Sequence, residues 1–309
     1  VEHLDRVIAF GELELARTAE RPKEQALVQR YLDRSIDDRA RFVERYNCNL
    51  LHIFDVYQRK GFVELLTTAA THAFLPFLVA SPESLRAQIE VAINSHRSFF
   101  GRNPAGFWLP DLGWFPEASE LLRSYGFSYT IVDSHGLLHA QPSPSTGTLA
   151  PVVTSDGLNI FGRDHLSASM VWDREKGFPT DPVYRDFYRD VGYELPLEDL
   201  APMLEAESSR GPTGFKYWAN AKEAEASCLW DPEAASARVN EHVEEFIASR
   251  TELASRYEAL TSSVSHSLCA FNAELFGHWW FEGPLFLERL FRRVHESADL
   301  RFIKPSHAI

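Results

Sequence analysis

Apolar residues recur at i, i+3 and i+4 among charged ones over Val1–Arg21 and Pro22–Lys60, and this spacing predicts helices from residue 1 to about 60. A strand is predicted at Phe62–Ala69, ending in the polar pair Thr71-His72. Ser81-Pro82-Glu83-Ser84 predicts a helix start, with Ser81 as N-cap and Pro82 in the first turn, and the helix runs to about Phe100. Gly101 to Pro104 reads as a turn, Gly106–Leu109 as a short buried strand ending at Pro110-Asp111, Pro116–Tyr125 as a helix and Phe127–Asp133 as a strand. The Pro/Ser/Thr/Gly-rich residues 141–149 predict a loop, and strands are expected at Pro151–Thr154 and Leu158–Arg163. An excursion over residues 164–212 has a Tyr/Arg/Asp-rich centre. After it come a strand candidate at Gly214–Trp218, a long helix over about Asp231–Ser262 and a strand over Val264–Ala270. A closing helix begins near Pro284 and ends before Lys304-Pro305.

Strands that alternate with helices and end in polar or aromatic residues point to an α/β barrel. In such barrels the C-terminal ends of the strands carry the chemistry. The 309 residues suffice for one barrel-sized domain. A net charge of -13, with no basic stripe, argues against a nucleic-acid partner. No apolar run approaches the roughly 20 residues that span a bilayer, so no membrane partner is expected. Cys48, Cys228 and Cys269 are odd in number and widely spaced, which favours reduced thiols and a cytoplasmic location. The opening Val-Glu-His-Leu-Asp reads like a cut into a helix, and a fragment of a longer protein is expected.

The densest chemical signal is Phe271 to Pro284, with five aromatics, one imidazole, two carboxylates and two glycines. Aromatic faces stack on pyranose rings and carboxylates act on the bond between them. Trp279 and Trp280 are adjacent, so on an extended segment only one faces a ligand. Four strand ends would converge on one rim of a barrel: Thr71-His72, Trp108 to Asp111, Phe161 to Asp164, and Asn272 to Trp280. Two carboxyls about 5–5.5 Å apart across such a rim would suit a retaining glycosidase. Asp111 is a nucleophile candidate or a turn cap. Arg163 and Asp164 either clamp hydroxyls or serve as paired charges. His72 and His278 are ligand partners or satisfied core histidines. Glycine-rich phosphate loops, the Gly-x-Ser-x-Gly elbow and His-rich metal motifs are all missing, and neither a metal nor a cofactor is expected.

Several segments in order resemble glycoside hydrolase family 57, and within it the α-1,4-glucan branching enzymes. They are Gly61 to Leu65, Ala70 to Pro76, Gly106 to Pro110, Phe161 to Asp164, Gly177 to Pro179, Tyr184 to Tyr188, Thr213 to Tyr217 and Glu274 to Gly283. The resemblance implies an incomplete (β/α)7 barrel over residues 61–309, interrupted by the 164–212 excursion and preceded by the helical residues 1–60. On this resemblance the family's N-terminal strand and helical C-terminal domain are expected to be absent from these residues. It also implies α-glucans (amylose, glycogen) as partners and a retaining mechanism that needs no metal. Asp111 stands at the nucleophile position, where the family has glutamate, and Asn272 at the acid/base position, where it has aspartate. Substrate contacts are expected from His72, Trp108, Arg163, Asp164, His278 and Trp279. Three functions follow: a branching enzyme of impaired activity, a non-catalytic α-glucan-binding protein, or an α-amylase or 4-α-glucanotransferase.

Overall fold

Helices form where the apolar stripes predict them. The computed structural model describes residues 1–204, 210–220 and 228–309. In chain order its helices are α1 (Glu2–Arg17), α2 (Pro22–Ala40), α3 (Leu50–Arg59), α4 (Pro82–Phe100), α5 (Ala118–Ser124), α6 (Ser134–Leu138), α7 (His165–Trp172), α8 (Val191–Glu194), α9 (Pro232–Thr261) and α10 (Gly283–Glu296). The strands are β1 (Thr67–Thr68), β2 (Gly106–Trp108), β3 (Tyr129–Val132), β4 (Val152–Val153) and β5 (Asn159–Gly162). The protein is an α/β protein with a mostly parallel sheet. Its chain divides into two compact units, one of residues 1–53, 174–243 and 272–289, the other of residues 54–173, 244–271 and 290–309.

The second unit carries the sheet, in the order β1-β2-β3-β5-β4, with every pair parallel except β4–β5. Register places Thr68 opposite Trp108, Trp108 opposite Ile131, and Ile131 opposite Phe161. Alternation along the strands divides their side chains between two clusters. Phe107, Val132 and Ile160 join Leu85, Ile89 and Ile93 of α4 and Leu122 of α5. Tyr129, Ile131 and Phe161 join Trp108, Leu112 and Leu268. A parallel sheet buried on both faces reads as near-continuous apolar runs, as the central strands β2, β3 and β5 largely do. The α4 helix ends at Gly101, whose φ of 64° is the left-handed C-cap that glycine adopts without strain. Its N-cap, Ser81, bonds the hydroxyl of Ser84 at 2.9 Å instead of a helix amide.

In the first unit α1 packs on α2, burying Phe10, Val28, Tyr31 and Leu32. Gly11 permits the close approach, since a β-carbon there would lie 3.0 Å from the Phe215 ring and 3.1 Å from Leu32. Two predicted strands are absent and one is much reduced. The segment over Phe62–Ala69 contributes only Thr67–Thr68, because Leu65 N bonds the Gln58 side chain and Phe62 is exposed. Val264–Ala270 makes a single bridge, Leu268 to Arg163. Gly214–Trp218 is loop, tied by Phe215 N to the Thr213 hydroxyl and by one bridge from Trp218 to Leu229.

Candidate functional site

The candidate residues fall into two sets, one in each unit. In the second unit, His72, Asp111 and Arg163 follow the C-terminal ends of the parallel strands β1, β2 and β5. β2 ends at Trp108 and Pro110 opens a tight 3₁₀ turn, in which Asp111 (φ 51°) and Leu112 (φ 54°) both take left-handed backbone. His72 does the same, with φ 54°. Aspartate tolerates this region, but leucine rarely enters it. The Phe74 ring packs against the end of the turn, in the space that a Gly113 β-carbon would need, at 2.4 Å. Asp111 is exposed, and its carboxylate makes no hydrogen bond or ion pair among the described residues. Trp108 is half-buried in the Tyr129 cluster, and its carbonyl accepts a 2.9 Å bond from Thr68 Oγ1. The same hydroxyl lies 3.4 Å from His72 Nδ1.

Arg163 and Asp164 do not pair with each other. Arg163 donates to Asp133 at 2.6 Å, while its Nε is buried without a hydrogen-bond partner. Burial opposes ionisation of Asp133, but the Ser134 amide and Arg163 outweigh it and hold this carboxyl below the usual aspartate range. Asp164 is 3% exposed. It caps α7 by accepting from Ser167 N at 3.0 Å and takes bonds from Arg250 and Ser267. All these donors are protein groups, so Asp164 acts as a buried structural anion. The sequence reading missed Asp133, which ends β3 and would have been found by extending the strand-end rule to that strand.

In the first unit, Asn272 is exposed and opens the 3₁₀ turn Ala273–Leu275, with no side-chain capping bond. The next residues fold back, as the His278 and Trp279 amides bond the Glu274 carbonyl at 3.3 and 3.1 Å. This turn separates the adjacent tryptophans. Trp280 is 1% exposed, packed on Phe178, Tyr184 and Phe286, whereas Trp279 is 44% exposed. Trp279 stacks on Phe187 at 4.6 Å and 8°, and His278 meets Phe187 edge-on. Tyr188 stands beside this pair, 80% exposed. Lys216 holds the platform by donating to the Phe187 carbonyl. A second sandwich sets the Arg189 guanidinium 4.2 Å over Trp218. Phe187, Tyr188 and Trp218 were not singled out as contacts in the sequence, although aromatic density around Tyr184 to Tyr188 is the signal that marks them.

The arrangement offers carboxylates at strand ends and exposed aromatic faces, the groups that handle sugars. The family model for glycosyl hydrolase family 57 matches residues 13–185. The chain belongs to glycosyl hydrolase family 57. It is 33% identical to a solved α-amylase AmyC of Thermotoga maritima, with a TM-score of 0.93 over 99% of this chain and 60% of that one. A family-57 branching enzyme of Pyrococcus horikoshii superposes with a TM-score of 0.82 at 28% identity, over 98% of this chain and 55% of that one. A 1,4-α-glucan branching enzyme of Thermococcus kodakarensis is 27% identical over 270 residues, 78% of this chain and 37% of that enzyme. The chain thus spans well under half the length of this curated relative. Among the described residues of this family-57 chain, no cluster of three or more His, Cys, Asp or Glu could hold a metal, and no helix is long and apolar enough to cross a membrane.

Proposed function

We propose that this protein acts on α-1,4-glucan in the manner of a family-57 branching enzyme, with catalysis weakened by two substitutions. Asp111 occupies the nucleophile position and Asn272 the acid/base position. The sheet run β1-β2-β3-β5 is read as a sector of the family's incomplete (β/α)7 barrel. The observation that carries the reading is Asp111 itself. Its unengaged carboxylate is exposed on a left-handed turn directly after Trp-Leu-Pro, at the C-terminal end of a parallel strand. A carboxylate there can attack an anomeric carbon and form the glycosyl-enzyme intermediate of a retaining mechanism. Being one methylene shorter than glutamate, it reaches less far, and a misplacement of about 1 Å can cost on the order of 10²-fold in rate. Asn272 has no titratable proton. It neither protonates the leaving oxygen nor activates the acceptor hydroxyl, help that is typically worth about 10²–10⁴-fold.

His72, Trp108, Arg163, His278 and Trp279 are assigned to glucan contacts, with Trp279 on Phe187 as the stacking surface. A second reading, binding of amylose or glycogen without turnover, is favoured by the amide at Asn272. The double variant Asp111→Glu, Asn272→Asp separates the two. Incubated with amylose, it is expected to form α-1,6 linkages, detected by their anomeric proton signals, at least about 10²-fold faster than the starting chain. Reducing ends appearing without branches would assign hydrolysis. No turnover together with retained amylose affinity would assign the binding role.

A further inference from the structure

A cleft of about 360 Å³ opens within the first unit, between α2, the start of α9 and the start of α10. Its volume lies at the lower end of the range of small-molecule sites. None of the candidate glucan contacts lines it. Tyr31, Trp230 and Phe281 form one wall, with Trp230 edge-on to Phe281 at 5.4 Å and Tyr31 stacked on Trp230 at 6.2 Å. Glu282 lies at its floor, 5% exposed. One carboxylate oxygen accepts from the Arg185 amide at 3.3 Å. The other, Oε2, and the indole Nε1 of Trp230 are both buried; the indole draws on the Glu282 carboxyl, but neither atom completes a hydrogen bond of normal geometry among the described residues. A buried polar group left in that state costs about 1–3 kcal/mol.

The mouth has a different character. Arg30 and Arg34 lie one turn apart on α2; each has a 3.5 Å contact with an exposed acid, Glu233 and Asp38 respectively, and the Arg34 guanidinium also lies 4.8 Å over the Phe281 ring of the wall. Both side chains are about half exposed, and the stacking on Phe281 sets the Arg34 guanidinium against the aromatic wall with its N–H edge open to a ligand. Arg289 also lines the cleft, but its fork is occupied by the carbonyl and hydroxyl of Ser236. Arg185 is likewise committed, lying 3.6 Å over Phe281 and donating to Tyr31 and Gly214. In a chain of net charge -13, two available cations over a buried donor and acceptor are an unusual combination.

We propose that this cleft binds a small polyhydroxylated anion of sugar-phosphate type. A ligand hydroxyl accepts from Trp230 Nε1–H and donates to Glu282 Oε2, satisfying both groups with one oxygen, while the anionic group meets Arg30 and Arg34 at the mouth. Neutral sugars lack a partner for the guanidinium groups, and free phosphate has no carbon framework to carry a hydroxyl to the floor while its anionic oxygens meet the mouth. The site is independent of the glucan reading, since it uses neither Asp111 nor Asn272 nor Trp279.

Titration calorimetry of the whole chain at neutral pH and low salt tests this, with glucose 6-phosphate as probe and maltotriose and inorganic phosphate as comparisons. Saturable binding of glucose 6-phosphate is expected, about tenfold tighter than inorganic phosphate and weakened by added salt. Arg34→Gln should weaken it about tenfold with only a small change in melting temperature, because Arg34 is half exposed and loses one surface contact, with Phe281. Glu282→Gln should weaken glucose 6-phosphate but not inorganic phosphate. If Glu282→Gln lowers the melting temperature, the Trp230 indole proton resonance reports floor occupancy in the wild-type chain instead. No saturable heat, affinity unmoved by Arg34→Gln, or equal affinity for inorganic phosphate would each overturn the assignment. Maltotriose binding that Arg34→Gln leaves intact and Trp279→Ala removes belongs to the glucan platform and bears on that reading alone.

Discussion

Three non-glycine residues at or beside the strand ends of the second unit, His72, Asp111 and Leu112, hold left-handed backbone, and such conformations cost of order 1–3 kcal/mol each. Beside them the Phe74 ring packs against Gly113, where a β-carbon would lie 2.4 Å from it. Gly106 shows the same constraint inside β2. A β-carbon there would lie 2.3 Å from the ring of Tyr129, which is fully buried and donates its hydroxyl to Glu64. Gly106→Ala is therefore expected to lower stability by about 3 kcal/mol, the upper part of the overpacking range, as read by urea denaturation. Asp164→Ala should cost about 3–5 kcal/mol, because it strands the buried Arg250 guanidinium. A stable Asp164→Ala protein with altered glucan affinity would instead make Asp164 a ligand contact. Sequence alone left Asp164 open between clamp and ion pair, since its partners Arg250 and Ser267 lie 86 and 103 residues away.

At the scale of elements, long amphipathic helices were the most legible. The helices read from Pro82 and from Asp231 agree with α4 and α9 to within a residue or two, because their apolar stripes repeat over several turns. Strands were most legible where both faces are buried, as in β2, β3 and β5, although the edge strand β4 also lies inside the expected Pro151–Thr154 with Val153 66% exposed. Apolar composition over Val264–Ala270 looks like a strand, yet those residues pair at Leu268 alone, and Val264 is 73% exposed. Pairing partners, not composition, decide such segments. The turn from Ala273 to Trp280 was legible as chemistry but not as geometry, since the fold-back onto the Glu274 carbonyl has no sequence period. Its consequence is testable in two adjacent residues. Trp280→Ala should destabilise by about 3–5 kcal/mol, as loss of a core aromatic does. Trp279→Ala should change the melting temperature little and reduce retention on immobilised amylose about tenfold. Equal stability losses in the two variants would remove the case for Trp279 as a ligand surface.

For the molecule as a whole, two buried groups oppose each other in the pH dependence of stability. Burial pushes the Glu282 carboxyl up from 4.5 to about 7, against the weaker pull of Arg185 and the Trp230 indole. Between those values the folded chain keeps a proton that the unfolded chain has lost, so stability falls as pH rises through this window, by about 3 kcal/mol in all. Burial, reinforced by Arg238, pushes the His242 imidazole down from 6.5 to about 4, with Asp181 and Glu241 acting the other way. Its hydrogen bond with Tyr184 at 2.7 Å suits the neutral ring. Here the unfolded chain holds the extra proton, so stability falls as pH drops from 6.5 toward 4, again by about 3 kcal/mol. The two slopes nearly cancel between pH 4.5 and 6.5. The remaining acids titrate alike in wild type and single variants, so a difference measurement isolates each group. Glu282→Gln removes the first slope. Its stability relative to wild type should rise steadily from about pH 4.5 to 7 and then level off, measured by urea denaturation at half-unit intervals. A pH-independent difference would mean that Glu282 stays ionised in the folded protein, with Arg185 and the Trp230 indole outweighing burial.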